Sequence, residues 1–259
     1  MLRDGLAPDL SLHSIAGAGH NPELQKMYVD ILACSPQRPI LIMFLPLRFG
    51  FPPWRLHPDH SHIRPMKALR RIPPQSPPWR FHAYVPPSKK SDFTRFNQIE
   101  FRTLDGTASI GELRGQWRHP EQFGLTPEEH IRRTFSFLHG GIDPLTPAFL
   151  KTITDLAGRA RDLGLPVVAY QPPMPIQRGT EVLGDALLEL VIREYKAMDD
   201  AFIAGYGPSP ILRIGRSFET DEFIDPDDGV EHYSERGRKH LTELLVEAVH
   251  NLRGATPSP

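Results

Sequence analysis

A histidine near the end of the chain follows a group of acidic residues. His232 comes after Asp225, Asp227 and Asp228, and the run from Ser234 to Gly237 stands directly behind it. Histidine has an ordinary pKa near neutrality, so a histidine held by a carboxylate is well suited to act as a general base. The alternative interpretation is a solvated acidic loop whose histidine only caps the next helix. It is the commoner case for an isolated motif of this kind.

The elements on either side determine where His232 lies. Ser234 is a suitable N-cap, because its hydroxyl can accept from the free N–H groups that begin a helix, and the amphipathic pattern of that helix extends to about Asn251. An apolar run at 210–215 predicts a strand before the acidic loop. His232 is therefore expected between a strand and the last helix, at the edge where an open α/β sheet collects its functional groups.

Strands and helices alternate along most of the chain. Besides 210–215, an alternating run at 10–15 and continuous apolar runs at 39–45 and 166–171 predict strands. Capping residues, prolines and apolar stripes predict helices that begin at Pro22, near Thr126 and near Thr146, and a long helix from about Glu181 to Ile203. This alternation predicts an α/β fold with a doubly wound parallel sheet, in one domain that spans residues 1–259.

The middle of the chain is rich in proline, and no sustained helical or alternating period is visible from residue 56 to residue 118. This pattern predicts a long loop or insertion at about 46–125. Arg48 and Trp54 near its start are expected to contact substrate, with Phe51 beside them, because aromatic rings combined with arginine suit sugars and anionic ligands. A tryptophan that merely fills the base of the loop is the alternative.

Composition and charge exclude several classes of function. The formal net charge is −1 at pH 7, so neither nucleic acid nor an anionic membrane surface is an expected partner. The single cysteine, Cys34, excludes an internal disulfide and a cysteine-based metal site. The three histidines from His57 to His62 are more typical of a polar loop than of a metal site, and we expect no metal and no cofactor. No apolar run could span a bilayer, and the first residues lack the apolar core of a signal peptide.

Three stretches resemble sequence blocks of the SGNH (GDSL-like) hydrolase superfamily, in particular of its bacterial envelope-associated members. The stretch from Ser14 to Gly19 resembles the second block, a glycine turn after a strand. Leu45 to Phe49, with Trp54, stands at the position of the third block, and Asp225 to Gly237 resembles the fifth. The resemblance covers nearly the whole chain and is most specific in the last block. It implies a flavodoxin-like, three-layer α/β/α arrangement.

The resemblance also implies an esterase or an O-acyl transfer enzyme that acts on a carbohydrate or another ester substrate. Such chemistry uses a serine nucleophile, a histidine that takes its proton, an aspartate that orients the histidine, and fixed donors for the oxyanion. His232 would be the base. Asp228 is the nearest orienting carboxylate, with Asp225 and Asp227 as alternatives, and Gly17 or Gly19 would supply an N–H group to the oxyanion hole.

The sequence departs from the family pattern at two points. No Gly-Asp-Ser motif follows a first strand, and Pro46 to Arg48 stand where the third block has an asparagine. Ser11 and Ser14 lie within the predicted strand at 10–15 rather than at a strand-end turn. In the strand order 2-1-3-4-5 the missing first strand would be central. We therefore expect either a nucleophile block upstream of Met1, which would favour a location in the cell envelope, or a degenerate relative.

Three functional hypotheses stay open. The first hypothesis is an SGNH-type esterase or acyl-transfer enzyme. The second is a non-catalytic SGNH-like domain that binds a glycan or a protein partner. The third hypothesis is an unrelated α/β protein that binds a small molecule at the strand ends, in which His232 is only a loop residue. No sequence pattern predicts the oligomeric state.

Overall fold

The structure is a computed structural model that describes residues 22–32, 39–58, 90–208 and 211–255. These residues form a mixed α/β protein that is mostly helical, with a three-stranded parallel sheet and a small antiparallel sheet. The predicted strand at 10–15 lies outside the described residues, as do Gly17, Gly19, Cys34 and most of the histidine-containing loop.

Helices and strands are numbered in chain order. The helices are α1 Pro22–Leu32, α2 Pro52–Arg55, α3 Lys90–Asn97, α4 Ile110–Arg118, α5 Pro127–His139, α6 Pro147–Asp162, α7 Ile176–Leu183, α8 Asp185–Tyr206 and α9 Glu235–Ala255. The strands are β1 Leu41–Phe44, β2 Glu100–Thr103, β3 Gly106–Ser109, β4 Val167–Tyr170 and β5 Ile211–Leu212. Short 3₁₀ turns occupy Leu47–Gly50, Pro120–Phe123, Thr220–Glu222 and Pro226–Asp228. Among the described helices, none combines the length and the hydropathy that a membrane-spanning segment requires.

The parallel sheet has the strand order β1-β4-β5. β1 pairs with β4 along its whole length, from Leu41 opposite Val167 to Phe44 opposite Tyr170, and β5 pairs with the end of β4. The predicted strands at 39–45, 166–171 and 210–215 are thus confirmed, although each is shorter than predicted. All three run in the same direction, so the loops that follow them meet at one edge of the sheet.

Helices lie on both faces of this short sheet. Val167 and Ala169 belong to the main core, which contains the inner faces of α6 and α8. Val168, between them, instead packs with Leu245 and Val249 of α9. The alternation follows from the period of two along a strand. Full burial of an aliphatic side chain of this kind stabilises the fold by roughly 1.5–3 kcal/mol, so these helix contacts help to hold the sheet in place.

Residues 90–118 are regular structure, and the prediction of a continuous loop through this stretch is wrong. α3, the β2–β3 hairpin and α4 pack with α5 around a second hydrophobic core. Its most buried side chains include Phe96, Phe101, Ile110 and Leu113. Burial of these apolar groups outweighs the polar character of the segments that carry them.

Two local signals for this structure are present in the sequence. Asp105-Gly106 is a turn dipeptide typical of hairpins, and Gly106 has a φ of 119°, a value that favours glycine. Ser109 accepts from the N–H of Glu112 at 3.1 Å and so caps α4. A serine followed three residues later by a glutamate is the sequence pattern of a helix start.

The predicted long helix from Glu181 to Ile203 is in fact two helices. α7 ends at Leu183, and α8 begins at Asp185 and continues to Tyr206. Gly184 between them has a φ of 76°. This left-handed conformation interrupts a right-handed helix, and glycine adopts it without a steric penalty. The helices predicted from Pro22 and near Thr126 and Thr146 are confirmed.

Candidate functional site

Arg48 and Glu231 form an ion pair at the carboxyl edge of the parallel sheet. Arg48 lies in the 3₁₀ turn that follows β1, and Glu231 lies in the loop that leads into α9. Their side chains are only 18% and 7% exposed, so water screens the attraction weakly. The pair therefore connects the end of the first described strand directly to the loop that carries His232.

Three tyrosines share this buried region. Tyr195 and Tyr233 donate from their hydroxyls to the carbonyl oxygens of the two prolines after β4, at 3.2 and 3.0 Å. Burial, with a further contribution from the Glu231 carboxylate, raises the pKa of Tyr170 to about 12. The same two causes, burial first, raise the pKa of Tyr195 and of Tyr233 far above the ordinary value. All three hydroxyls therefore keep their protons at physiological pH.

Burial also changes the acid–base behaviour of Glu231 and of a nearby histidine. Burial raises the pKa of Glu231, and the positive charge of Arg48 opposes that rise. His139, at the end of α5, is fully enclosed, and its Nε2 lies 2.6 Å from the carbonyl oxygen of Gly229. Burial lowers the pKa of His139 to about 4; the Gly229 carbonyl counteracts this, and the charge of Arg48 adds to it. His139 is thus a neutral imidazole that donates to the acidic loop.

His232 is exposed at this edge, directly after Glu231. Its backbone carbonyl accepts from the N–H of Ile224 at 2.8 Å, and Phe223 and Tyr233 form a β-bridge beside it. These backbone contacts hold the two sides of the loop together. Among the described residues, no hydrogen bond or ion pair joins the His232 ring to a carboxylate. The site therefore presents an imidazole to solvent without the predicted orienting partner.

The aspartates before His232 bind other groups. Asp228 accepts from the indole N–H of Trp117 at 3.2 Å. Asp225 caps the short turn that follows it, accepting from the N–H of Asp227 at 3.0 Å. Asp227 itself is paired with an arginine of α7. The acidic residues thus fasten the loop to α4 and α7, and the structure does not bring Asp225 or Asp228 into contact with the imidazole.

Arg48 and Trp54 do lie together. The guanidinium of Arg48 sits over the Trp54 ring, 4.9 Å from its centroid. Trp54 is half-buried and packs against both hydrophobic cores, so it has a structural role as well as an exposed part. Phe51, expected beside them, is instead only 1% exposed and belongs to the main core.

A close histidine–carboxylate pair does occur in the described part of the chain, between residues that the sequence patterns did not single out. Nδ1 of His240 in α9 lies 2.8 Å from Oε1 of Glu222. The Glu222 side chain is 3% exposed and that of His240 38%. Phe218 stacks on the imidazole with ring centroids 4.6 Å apart. A carboxylate at Nδ1 fixes the ring and leaves Nε2 as the outward nitrogen, an arrangement that also orients general bases.

Comparisons with known proteins add no further assignment. A scan of the chain against protein-family models, a search of curated proteins and a search of solved structures each returned no match.

Removal of Glu231 should strongly destabilise the protein. Glu231→Ala leaves the guanidinium of Arg48 buried without its counter-charge, which costs about 3–5 kcal/mol in comparable cases. Urea unfolding of the variant measures this loss. The matched control is Asp200→Ala, which breaks an exposed Lys196–Asp200 pair on α8 and should change the free energy of unfolding by less than about 1 kcal/mol. Equal effects of the two substitutions would contradict a buried ion pair.

His139 should make the stability depend on pH. Its folded pKa of about 4 lies below the unfolded value of 6.5, so the unfolded chain binds more protons between these values. Stability is then lost as the pH falls, by about 2 kcal/mol between pH 7 and pH 5.

The variant His139→Gln keeps an N–H donor for Gly229 and removes the titration. Its free energy of unfolding should therefore fall less than that of the wild type over the same pH range. Glu231 has a raised pKa, so its contribution to the stability increases as the pH falls. Both proteins contain Glu231, and its contribution therefore cancels when their pH profiles are compared. Parallel pH profiles for the two proteins would show that His139 is not the responsible group.

Proposed function

We propose that this chain is an SGNH-hydrolase-like domain with a flavodoxin-like, doubly wound α/β/α arrangement. The strand order supports the proposal: β1, β4 and β5 follow one another in the sheet as the last three strands of the order 2-1-3-4-5 do. Helices on both faces of the sheet are consistent with the same arrangement. The ligand is a carbohydrate ester or another small ester, bound at the carboxyl edge.

The observation that carries the proposal is the contact between Arg48 and Glu231. Arg48 occupies the position of the third family block, and Glu231 stands next to the histidine of the fifth. These two loops lie far apart in the sequence, yet the ion pair holds them side by side at one edge of the parallel sheet. A base and the donors for an oxyanion must converge in this way from the ends of different strands.

In the proposed chemistry His232 takes a proton from an attacking hydroxyl while that hydroxyl's oxygen bonds to the ester carbonyl carbon. The ester C–O bond then breaks, and the proton passes to the leaving alcohol. The described serines near this edge are engaged elsewhere: Ser234 caps α9 through the N–H of Gly237, and Ser217 donates to the Ile214 carbonyl. The proposal therefore assigns His232 the base role without assigning a nucleophile among these serines.

A non-catalytic glycan-binding domain is the second candidate. It is favoured by one specific observation, that Asp225 and Asp228 are bound by groups other than the His232 imidazole. An imidazole without an orienting carboxylate is a weaker base in an acyl-transfer site. The two candidates share a ligand class and differ in turnover.

Ester binding at this edge is tested by saturation-transfer NMR with methyl 6-O-acetyl-glucoside. The acetyl methyl group should receive more saturation than the sugar protons, and His232→Ala should reduce that transfer because His232 is exposed at the proposed ester site. Lys239→Gln, an exposed substitution on α9, should leave it unchanged. A spectrum without transfer to the acetyl group, or an equal spectrum for His232→Ala, would reject the proposed site.

Turnover is expected to be low. With no Gly-Asp-Ser motif in the sequence, this 259-residue chain should hydrolyse p-nitrophenyl acetate little or not at all above the buffer rate. Clear hydrolysis that disappears in His232→Ala would contradict this expectation and would place the nucleophile inside the chain, with Ser14 the first residue to test. Hydrolysis that disappears in His240→Ala instead would assign the base to the Glu222–His240 pair.

A further inference from the structure

A cavity of about 300 Å³ opens between the second hydrophobic core and α2. Its walls are largely aromatic. The rings come from Trp54 of α2, Phe96 of α3, Trp117 of α4 and Phe137 of α5, together with His57. Cavities of this size are at the small end of ligand sites, so the space suits a molecule of about one ring.

Two arginines of α4 line the cavity. Arg114 and Arg118 both contribute to the wall, and none of the described residues that line it carries a carboxylate. Arg118 is exposed, its guanidinium lies 5.5 Å from the Trp117 ring centroid, and none of its described neighbours is an acidic partner for it. Arg118 therefore brings a positive charge to this wall, in a chain whose formal net charge is −1.

The two tryptophans are fixed before any ligand arrives. The Trp117 indole donates to Asp228, its backbone carbonyl lies 2.8 Å from Nε2 of His130, and its ring packs against Phe137 at 5.4 Å. Trp54 is held beneath Arg48. Rigid rings lose little conformational entropy when a ligand stacks on them, so such walls are good binding surfaces.

We propose that this cavity binds a small ligand that carries a carboxylate or phosphate on a sugar ring. Arg118 supplies charge-assisted hydrogen bonds to the anion. The aromatic walls supply flat surfaces for the apolar face of the ring. A neutral sugar would contact the rings but leave Arg118 without a counter-charge, and inorganic phosphate alone would pair with Arg118 but leave the rings uncovered. The combination of the two wall types selects a ligand that has both groups.

This proposal does not depend on ester chemistry at His232. The cavity is lined by other residues than the ester site. A negative result in the ester-binding experiment would therefore not contradict the proposed binding of an anionic sugar. The link between the two sites is Asp228, which belongs to the loop of His232 and also holds Trp117.

The test is a fluorescence titration of the whole chain with D-glucuronate and with glucose 6-phosphate, because two of its three tryptophans line the cavity. At least one of these should give a saturable change and bind at least about tenfold more tightly than glucose, since a hydrogen bond to a charged group contributes about 1.5–3 kcal/mol. The tighter of the two identifies the anion as a carboxylate or a phosphate. Added salt should weaken this binding.

Arg118→Gln should weaken binding at least about tenfold for the same reason. Arg118 is exposed, so the variant should keep the wild-type melting temperature. Lys239→Gln removes one positive charge from α9, away from the cavity, and should bind as the wild type does. The proposal is overturned if no titration saturates, if glucose or inorganic phosphate binds as tightly as the charged sugars, or if Arg118→Gln retains full affinity.

Discussion

The buried ion pair between Arg48 and Glu231 is the interaction on which the carboxyl edge of this protein depends. Transfer of each charge from water to the interior costs several kcal/mol, and only a close, well-placed partner offsets that cost. The chain meets this requirement with residues from opposite ends of its described part, one after β1 and one before α9. A displacement of the Glu231 loop separates the two charges and leaves the desolvation cost of the buried Arg48 guanidinium without compensation.

Burial also keeps the titratable groups around the ion pair in their neutral forms. Tyr195 and Tyr233 keep their protons and donate to backbone carbonyls after β4, while His139 stays neutral and holds Gly229. The loop is thus attached to β1, to the segment after β4 and to α5. His232 is placed at the surface by this framework, and its position comes from the neighbours of Glu231 rather than from an aspartate of its own.

The sequence predicts the local parts of this structure well. Continuous apolar runs indicated the strands at 39–45 and 166–171, and the N-caps at Thr126 and Thr146 indicated α5 and α6, because strand period and helix capping are properties of neighbouring residues. The hairpin at Asp105-Gly106 carried a comparable signal that the proline content of the preceding loop obscured. The Arg48–Glu231 and Glu222–His240 pairs carry no such signal. Both pairs join residues of different structural elements, and only the packed fold determines which charges meet.

Amide hydrogen exchange in Glu231→Gln tests most directly whether the ion pair positions the His232 loop. The substitution keeps the size of the side chain and removes its charge. The N–H of Ile224, which donates to the His232 carbonyl, should then exchange at least about tenfold faster through local opening. The N–H of Val168 in the central strand should keep its protection. Unchanged protection of Ile224 would show that the Arg48–Glu231 pair does not hold the loop in place.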